Sequence, residues 1–211
     1  MIQNQIIEAL KNRYATKAFD INKKVSDSDL QTILESARLA PSSFGIEAWK
    51  FLVVNNPEIR AQLRAAGYDQ PKFTDASHLI VLARRTDSEN ISNELIDRTA
   101  AIQGKTVEDL AGLKQMVDGS IAFKTGTNTF DSWVAAQTYI ALGMMIETAA
   151  LVGIDTCPME GFDAQKVDEI IGLADKKLAA VSILALGYRG DDTHATLPKT
   201  RRDFNEVVEV I

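Results

Sequence analysis

The stretch 133–152 constrains this chain most, because it is long and apolar enough to span a bilayer by composition. Its polar residues argue against that use. Gln137, Thr138, Glu147 and Thr148 interrupt it. A carboxylate in a spanning helix costs about 2.5–3.5 kcal/mol on insertion scales. The interruptions recur close to three helical turns apart, which predicts one polar stripe on a helix buried inside a globular protein. Gly153 ends that helix. A chain built this way must supply other elements to cover a central helix, and no membrane is needed.

Those elements are readable on both sides of it. Apolar spacing predicts helices over 2–12, 27–40, 58–66, 88–103, 107–123 and 164–171. Ser26 is placed to cap the second, and Gly67 stops the third. Strands are expected at 49–54, 77–83 and 179–186. Between them lie a short loop at 41–48, a polar connector at 68–75, a turn at 124–128 and a loop at 155–163. The terminal run 207–211 is apolar and β-branched, and can close the chain's own sheet or add a strand to a partner's. No repeat, linker or low-complexity segment divides the chain. The expectation is one domain over 1–211, an α+β sandwich with a small mixed sheet flanked by helices.

Several chemistries are excluded by missing patterns. There is no G-x-x-x-x-G-K-[ST] and no G-x-G-x-x-G after a strand, so neither a P-loop nor a Rossmann turn is indicated. His78 and His194 are far apart in sequence and form no metal-binding pattern. His78 opens a strand and reads as structural. Cys157 has no local base and reads as a buried thiol, and a single cysteine fits a reducing cytosol. A net charge of −6 disfavours nucleic acid as a partner. Within that acidic chain the loops hold Arg13, Lys17, Lys72, Lys199, Arg201 and Arg202. Such cations can converge on one anion, such as a phosphate, or stand separately in solvent.

Five segments, in order, resemble the nitroreductase family of FMN-dependent oxidoreductases, in its bacterial nitroreductase and dihydropteridine-reductase-like branch. They are Arg13-Tyr14-Ala15-Thr16-Lys17-Ala18-Phe19-Asp20, Ala40-Pro41-Ser42-Ser43 with Trp49 downstream, Asp75-Ala76-Ser77-His78, Glu160-Gly161-Phe162-Asp163, and Ala195-Thr196-Leu197-Pro198-Lys199-Thr200-Arg201. The resemblance implies an intertwined homodimer with FMN in the interface, and NADH or NADPH as electron donor. It implies a ping-pong hydride transfer through flavin N5 to nitroaromatic, quinone or related acceptors. A flavin-binding protein of the same fold, with a sensing or flavin-handling role, is the alternative.

By the same resemblance, Arg13, Lys199 and Arg201 would grip the FMN phosphate, with Tyr14 and Ala15 adding backbone. Lys17 and Lys72 would face the pyrimidine edge. Pro41, Ser42, Ser43 and Gly45 would reach the partner's flavin. Pro158, Met159, Glu160 and Gly161 would lie against the ring, with the Glu160–Gly161 backbone facing N5. The segment from about 190 to 211 would be an arm around the partner. Met116, Phe123 and Phe130, in the lid region, would line the acceptor pocket. The chain departs from its relatives at Gly45, Glu47, Ala48 and Asp69, where relatives often carry Asn, Gln-Pro and Asn. Two of these changes add negative charge near the flavin.

Overall fold

The computed structural model describes residues 2–211. Its helices are α1 (Ile2–Asn12), α2 (Asp27–Arg38), α3 (Pro57–Ala66), α4 (Lys72–Asp75), α5 (Ile91–Gln103), α6 (Ala111–Gly126), α7 (Phe130–Leu151), α8 (Ala164–Ile171) and α9 (Phe204–Val207). Its strands are β1 (Trp49–Val53), β2 (His78–Arg85), β3 (Asp155–Met159) and β4 (Leu178–Gly187).

The strands form one sheet in the order β1-β2-β4-β3, and each neighbouring pair is antiparallel. The mixed character expected of the sheet is confined to a single parallel bridge, Ala15 to Thr156. β2 and β4 are covered on both faces, so each reads as a continuous apolar run. Alternation then sends side chains to opposite layers. Leu79, Val81, Ile183 and Ala185 pack with Leu63, Phe73 and Val167 beneath α3, α4 and α8. Ile80, Leu82, Leu184 and Leu186 pack with Ile33, Ala37, Ala141 and Met145 beneath α2 and α7. A separate cluster joins α5, α6 and the start of α7 around Ile46, Leu95, Val117 and Val134.

α7 is the long helix expected from 133–152, and at about 1.5 Å per residue it runs roughly 33 Å. Gln137, Thr138, Ala141, Met145 and Ala149 are buried, whereas Glu147 and Thr148 are only partly so. Among the described residues the opposite face is left partly uncovered: Tyr139, Ile140 and Leu151 are exposed. The helix is thus buried along one side rather than all round.

Four expectations change. The stretch 155–163 is not all loop, because its first half is β3. Pro158 lacks an N–H, but β3 is the last strand of the sheet and its outer edge meets only the bridge from Ala15 at Thr156, so beyond that bridge a proline is tolerated. The connector 68–75 contains α4 and a fully buried ring, Phe73. The turn expected at 124–128 begins later, since α6 continues through Gly126. Phe130 is packed with Ile46, Leu95 and Ile121 and also lines a surface pocket with Thr86, Ser88, Thr125 and Asn128, while Met116 and Phe123 stay exposed. The tail forms the short α9, and beyond it Val210 and Ile211 lie in the open.

Phe73 is seated because Gly67 leaves room for it. A Cβ at position 67 would collide with the ring edge at Cε2 and Cζ. Gly67→Ala is therefore expected to destabilise the fold by about 1–3 kcal/mol, through displacement of a buried ring. Chemical denaturation would report this as a lowered midpoint with an unchanged slope.

Candidate functional site

The segment 13–18 runs between α1 and β3 and is held by a buried carboxylate. Ala15 bridges Thr156, and the Thr16 N–H donates to the Thr156 carbonyl at 3.0 Å. Asp192 Oδ2 accepts from the Tyr14 hydroxyl (2.7 Å), the Lys17 N–H (2.7 Å) and the Ala18 N–H (3.3 Å). Its Oδ1 accepts from the His194 N–H at 2.9 Å. Burial opposes the charge on Asp192. The bonds from Lys17, Tyr14, His194 and Ala18 outweigh it and hold the carboxyl far below the ordinary range.

Cations gather around this frame. Arg189 lies over the Tyr14 ring at 4.9 Å and pairs with Asp155 at 2.5 Å. Lys199 Nζ donates to the carbonyls of Lys11 (2.5 Å) and Asn12 (2.9 Å), the free end of α1. The Arg13 Nε is buried and, among the described residues, has no hydrogen-bond partner. Burial lowers the Arg13 pKa, and repulsion from Arg201 lowers it further. Lys199 is lowered by burial, then by Arg189, Arg13 and Arg201. These groups repel one another across one corner, and an anion placed there would relieve the repulsion.

A second pair of cations lies further along β3. The Cys157 thiol is buried, and burial pushes its pKa up while Lys72 and Lys17 pull it down, so both ammonium groups are close to it. Lys72 opens α4, whose end is fixed by Arg60. That buried guanidinium donates to the carbonyls of Phe73 (2.7 Å), Ala76 (2.6 Å) and Ser77 (3.3 Å). His78, read from the sequence as structural, places its Nδ1 at 3.1 Å from Ser77 Oγ, and burial lowers its pKa. β3 then leads to the turn 160–163. There the Gln70 amide donates to the Gly161 carbonyl at 2.8 Å, and the Tyr139 hydroxyl donates to Glu160 Oε1 at 2.8 Å.

The loop 41–47 lies elsewhere. The Ser43 N–H donates to Gln137 Oε1 at 2.8 Å, Ser42 Oγ accepts from the Glu47 N–H at 2.9 Å, and Arg98 donates to the Gly45 carbonyl at 2.8 Å. Phe44, Gly45 and Glu47 all have positive φ (55°, 74° and 46°), a strained turn held by these bonds. Gln137 and Tyr139 are two residues apart, so they point about 200° apart around α7. Ser43 and Glu160 therefore meet opposite sides of that helix.

One chain thus sets Arg13, Tyr14, Ala15, Lys17, Lys72, Pro158, Glu160 and Gly161 on or beside β3, holds Lys199 and Arg201 at the end of α1, buries the Met159 side chain in the core, and leaves Pro41, Ser42, Ser43 and Gly45 across α7. Asp69 sits beside the first group with φ 55°, but its carboxylate turns away to Arg64 at 2.7 Å. Glu47 likewise pairs with Arg98 at 3.4 Å. Both departures that add charge are thus paired with an arginine of this chain. Asp192, Arg189, Gln70 and Tyr139 are the site residues that sequence reasoning missed. Only the tertiary pairing of 14–18 with 192 reveals the first.

A model described as the nitroreductase family matches residues 10–188. YfkO of Bacillus subtilis (strain 168), provisionally named an NAD(P)H nitroreductase, is 37% identical over 219 residues, covering 99% of this chain and 98% of its own length. Among solved structures, a nitroreductase-like protein of Streptococcus mutans superposes with a TM-score of 0.82 at 20% identity, covering 99% of each chain. A provisionally named nitroreductase of Exiguobacterium sibiricum 255-15, solved in complex with FMN, gives 0.79 at 23% identity, covering 98% of this chain and 97% of its own. At those identities the two structures establish the fold.

Proposed function

The chain belongs to the nitroreductase family, and from that premise we propose that it is an FMN-dependent oxidoreductase drawing electrons from NADH or NADPH. The observation that carries the reading is the corner of mutually repelling cations with the unpartnered, buried Arg13 Nε. A phosphate dianion supplies the missing acceptor and the missing negative charge, so the residues fit FMN. Bound FMN would supply two-electron hydride chemistry between the nicotinamide and an acceptor such as a nitroaromatic or quinone.

The chain's own residues then bind and orient. Arg13, Lys199 and Arg201 hold the phosphate, and Asp192 holds the backbone of Tyr14 to Ala18 so that Arg13 keeps its place. Lys17 and Lys72 put positive charge at the pyrimidine edge, which favours the reduced state. The Glu160–Gly161 peptide offers an N–H toward N5 without adding a competing acid. No histidine or cysteine is required. With donor and acceptor sharing one open pocket, turnover is ping-pong.

The same reading makes the protein a homodimer. Ser42 and Ser43 stand across α7 from Glu160, so only a second chain can bring that loop to a flavin seated on β3. The exposed Tyr139, Ile140 and Leu151 of α7 suit such an interface. The tail from about 190 serves as the arm, its exposed Val207, Val208, Val210 and Ile211 covering the partner, and the rest of 1–211 is one unit. A cytoplasmic location accords with the buried free thiol.

The test is anaerobic. Purified protein is expected to be dimeric and yellow with FMN, and NADH or NADPH should bleach the flavin band. Absence of a flavin spectrum after FMN is added would sink the proposal. A bound flavin that neither coenzyme bleaches would favour the sensing or flavin-handling alternative.

A further inference from the structure

The turn 160–163 is braced from two sides. Its own bonds use both carbonyls: the Glu160 C=O accepts from the Phe162 N–H at 2.9 Å, and the Gly161 C=O accepts from Gln70 at 2.8 Å. The Asp163 N–H donates to the Ala66 carbonyl at 2.9 Å. The Gln70 amide nitrogen also donates to the Gly67 carbonyl at 2.9 Å, at the end of α3. Two carbonyls facing one amide fix its orientation, because only the NH2 side can face both. From α7, Tyr139 donates to Glu160. Burial and Glu160 push the Tyr139 pKa up to about 12, so the phenol keeps its proton and remains the donor.

Glycine at 161 is otherwise the loosest residue in the turn, since it lacks the Cβ that restricts φ and ψ. A Cβ there would stand 3.6 Å from Gln70 Nε2, an ordinary contact, so lack of room does not explain the glycine. What fixes this backbone is the pair of bonds from the Phe162 and Asp163 N–H groups together with the Gln70 amide, and Tyr139 adds a hold on the Glu160 side chain.

We propose that Gln70 is a positioning residue: by holding the Gly161 carbonyl, in the Gly161–Phe162 peptide, it fixes Gly161 and thereby orients the adjoining Glu160–Gly161 N–H toward flavin N5, with Tyr139 as a second brace acting through the Glu160 side chain. The proposal rests on the FMN reading above. Gln70 touches neither substrate nor flavin in this role. It fixes the peptide that does.

The experiment compares the full-length wild type with Gln70→Leu and Tyr139→Phe, each loaded with FMN. FMN affinity, the flavin midpoint potential and the anaerobic bleaching rate with NADPH and NADH are measured. Oxidised N5 accepts a hydrogen bond whereas reduced N5 carries a hydrogen, so a slackened donor favours the reduced flavin. Gln70→Leu is expected to keep its FMN affinity and to move the midpoint to more positive values. Bleaching should nevertheless slow about tenfold, the equivalent of one well-placed hydrogen bond. Tyr139→Phe should move both in the same directions by less.

If Gln70→Leu binds FMN as the wild type does, with midpoint and bleaching unchanged, the proposal is overturned and the FMN reading stands. If Gln70→Leu loses FMN, Gln70 holds the cofactor rather than positioning the peptide, and the proposal is again overturned. If the leucine variant does not fold, Tyr139→Phe decides, and an unmoved midpoint there overturns it. A wild type that takes up no FMN overturns the FMN reading and this proposal together.

Discussion

Arg13→Met is expected to weaken FMN binding about tenfold to a hundredfold, the equivalent of one lost charged hydrogen bond at 1.5–3 kcal/mol. The same substitution should leave the apoprotein as stable as the wild type, or more so. Both halves follow from one observation. The Arg13 Nε is buried without a partner, and burial with Arg201 lowers its pKa. In the empty protein the guanidinium is desolvated and repelled, and methionine removes that cost while filling similar space. With a phosphate present the balance reverses. Fluorescence titration of FMN and thermal unfolding of the apoprotein measure the two sides. Equal FMN affinity in wild type and variant would refute the phosphate assignment. Affinity should also fall as pH drops through about 6, where a phosphomonoester loses its second charge.

Asp192→Ala should cost more stability than any other single change at the site, about 3 kcal/mol or more, because it strands the N–H groups of Lys17, Ala18 and His194 and the Tyr14 hydroxyl. In a chain of this size that corresponds to a fall in Tm of roughly 6–12 °C. Asp192→Asn keeps the shape and removes the charge, so it isolates the electrostatic part. The folded carboxyl is held below its ordinary pKa. Its contribution is therefore complete above the unfolded value of about 3.9, and it is lost as pH falls from there toward the depressed folded value. The stability gap between wild type and Asp192→Asn should be widest near neutrality and should close below about pH 4. A gap that widened in acid would contradict the assignment.

How much of this was legible depends on the range over which each residue acts. α1 and α8 fall where apolar spacing and end signals put them, because both are decided within the element. Ser26 caps α2 as read, its Oγ accepting from the Asp29 N–H at 3.1 Å. β3 was hidden by Pro158, which forbids a central strand but not an edge one. Phe73 was hidden in a polar connector, because the space it fills is opened by a glycine from the preceding helix. Asp192 was hidden most completely. In Gly190-Asp191-Asp192-Thr193-His194 it reads as a turn residue capping its own neighbourhood, which it also is. Its bonds to Tyr14, Lys17 and Ala18 cross almost the whole chain and leave no local trace. The candidate cations were each visible, but their convergence depends on Lys199 reaching the end of α1.

That last contact has a consequence for biosynthesis. The cationic corner unites position 13 with positions 189, 199 and 201, so a nascent chain cannot assemble it until nearly the whole sequence has left the ribosome. The α3–α4 contact and the pairing of β1 with β2 can form earlier, since those partners are close in sequence. An anion that needs all four of these cations must therefore wait until residue 201 has emerged. In a cell short of flavin, the species that accumulates would be a complete chain with its cations uncovered, ready to load when supply returns.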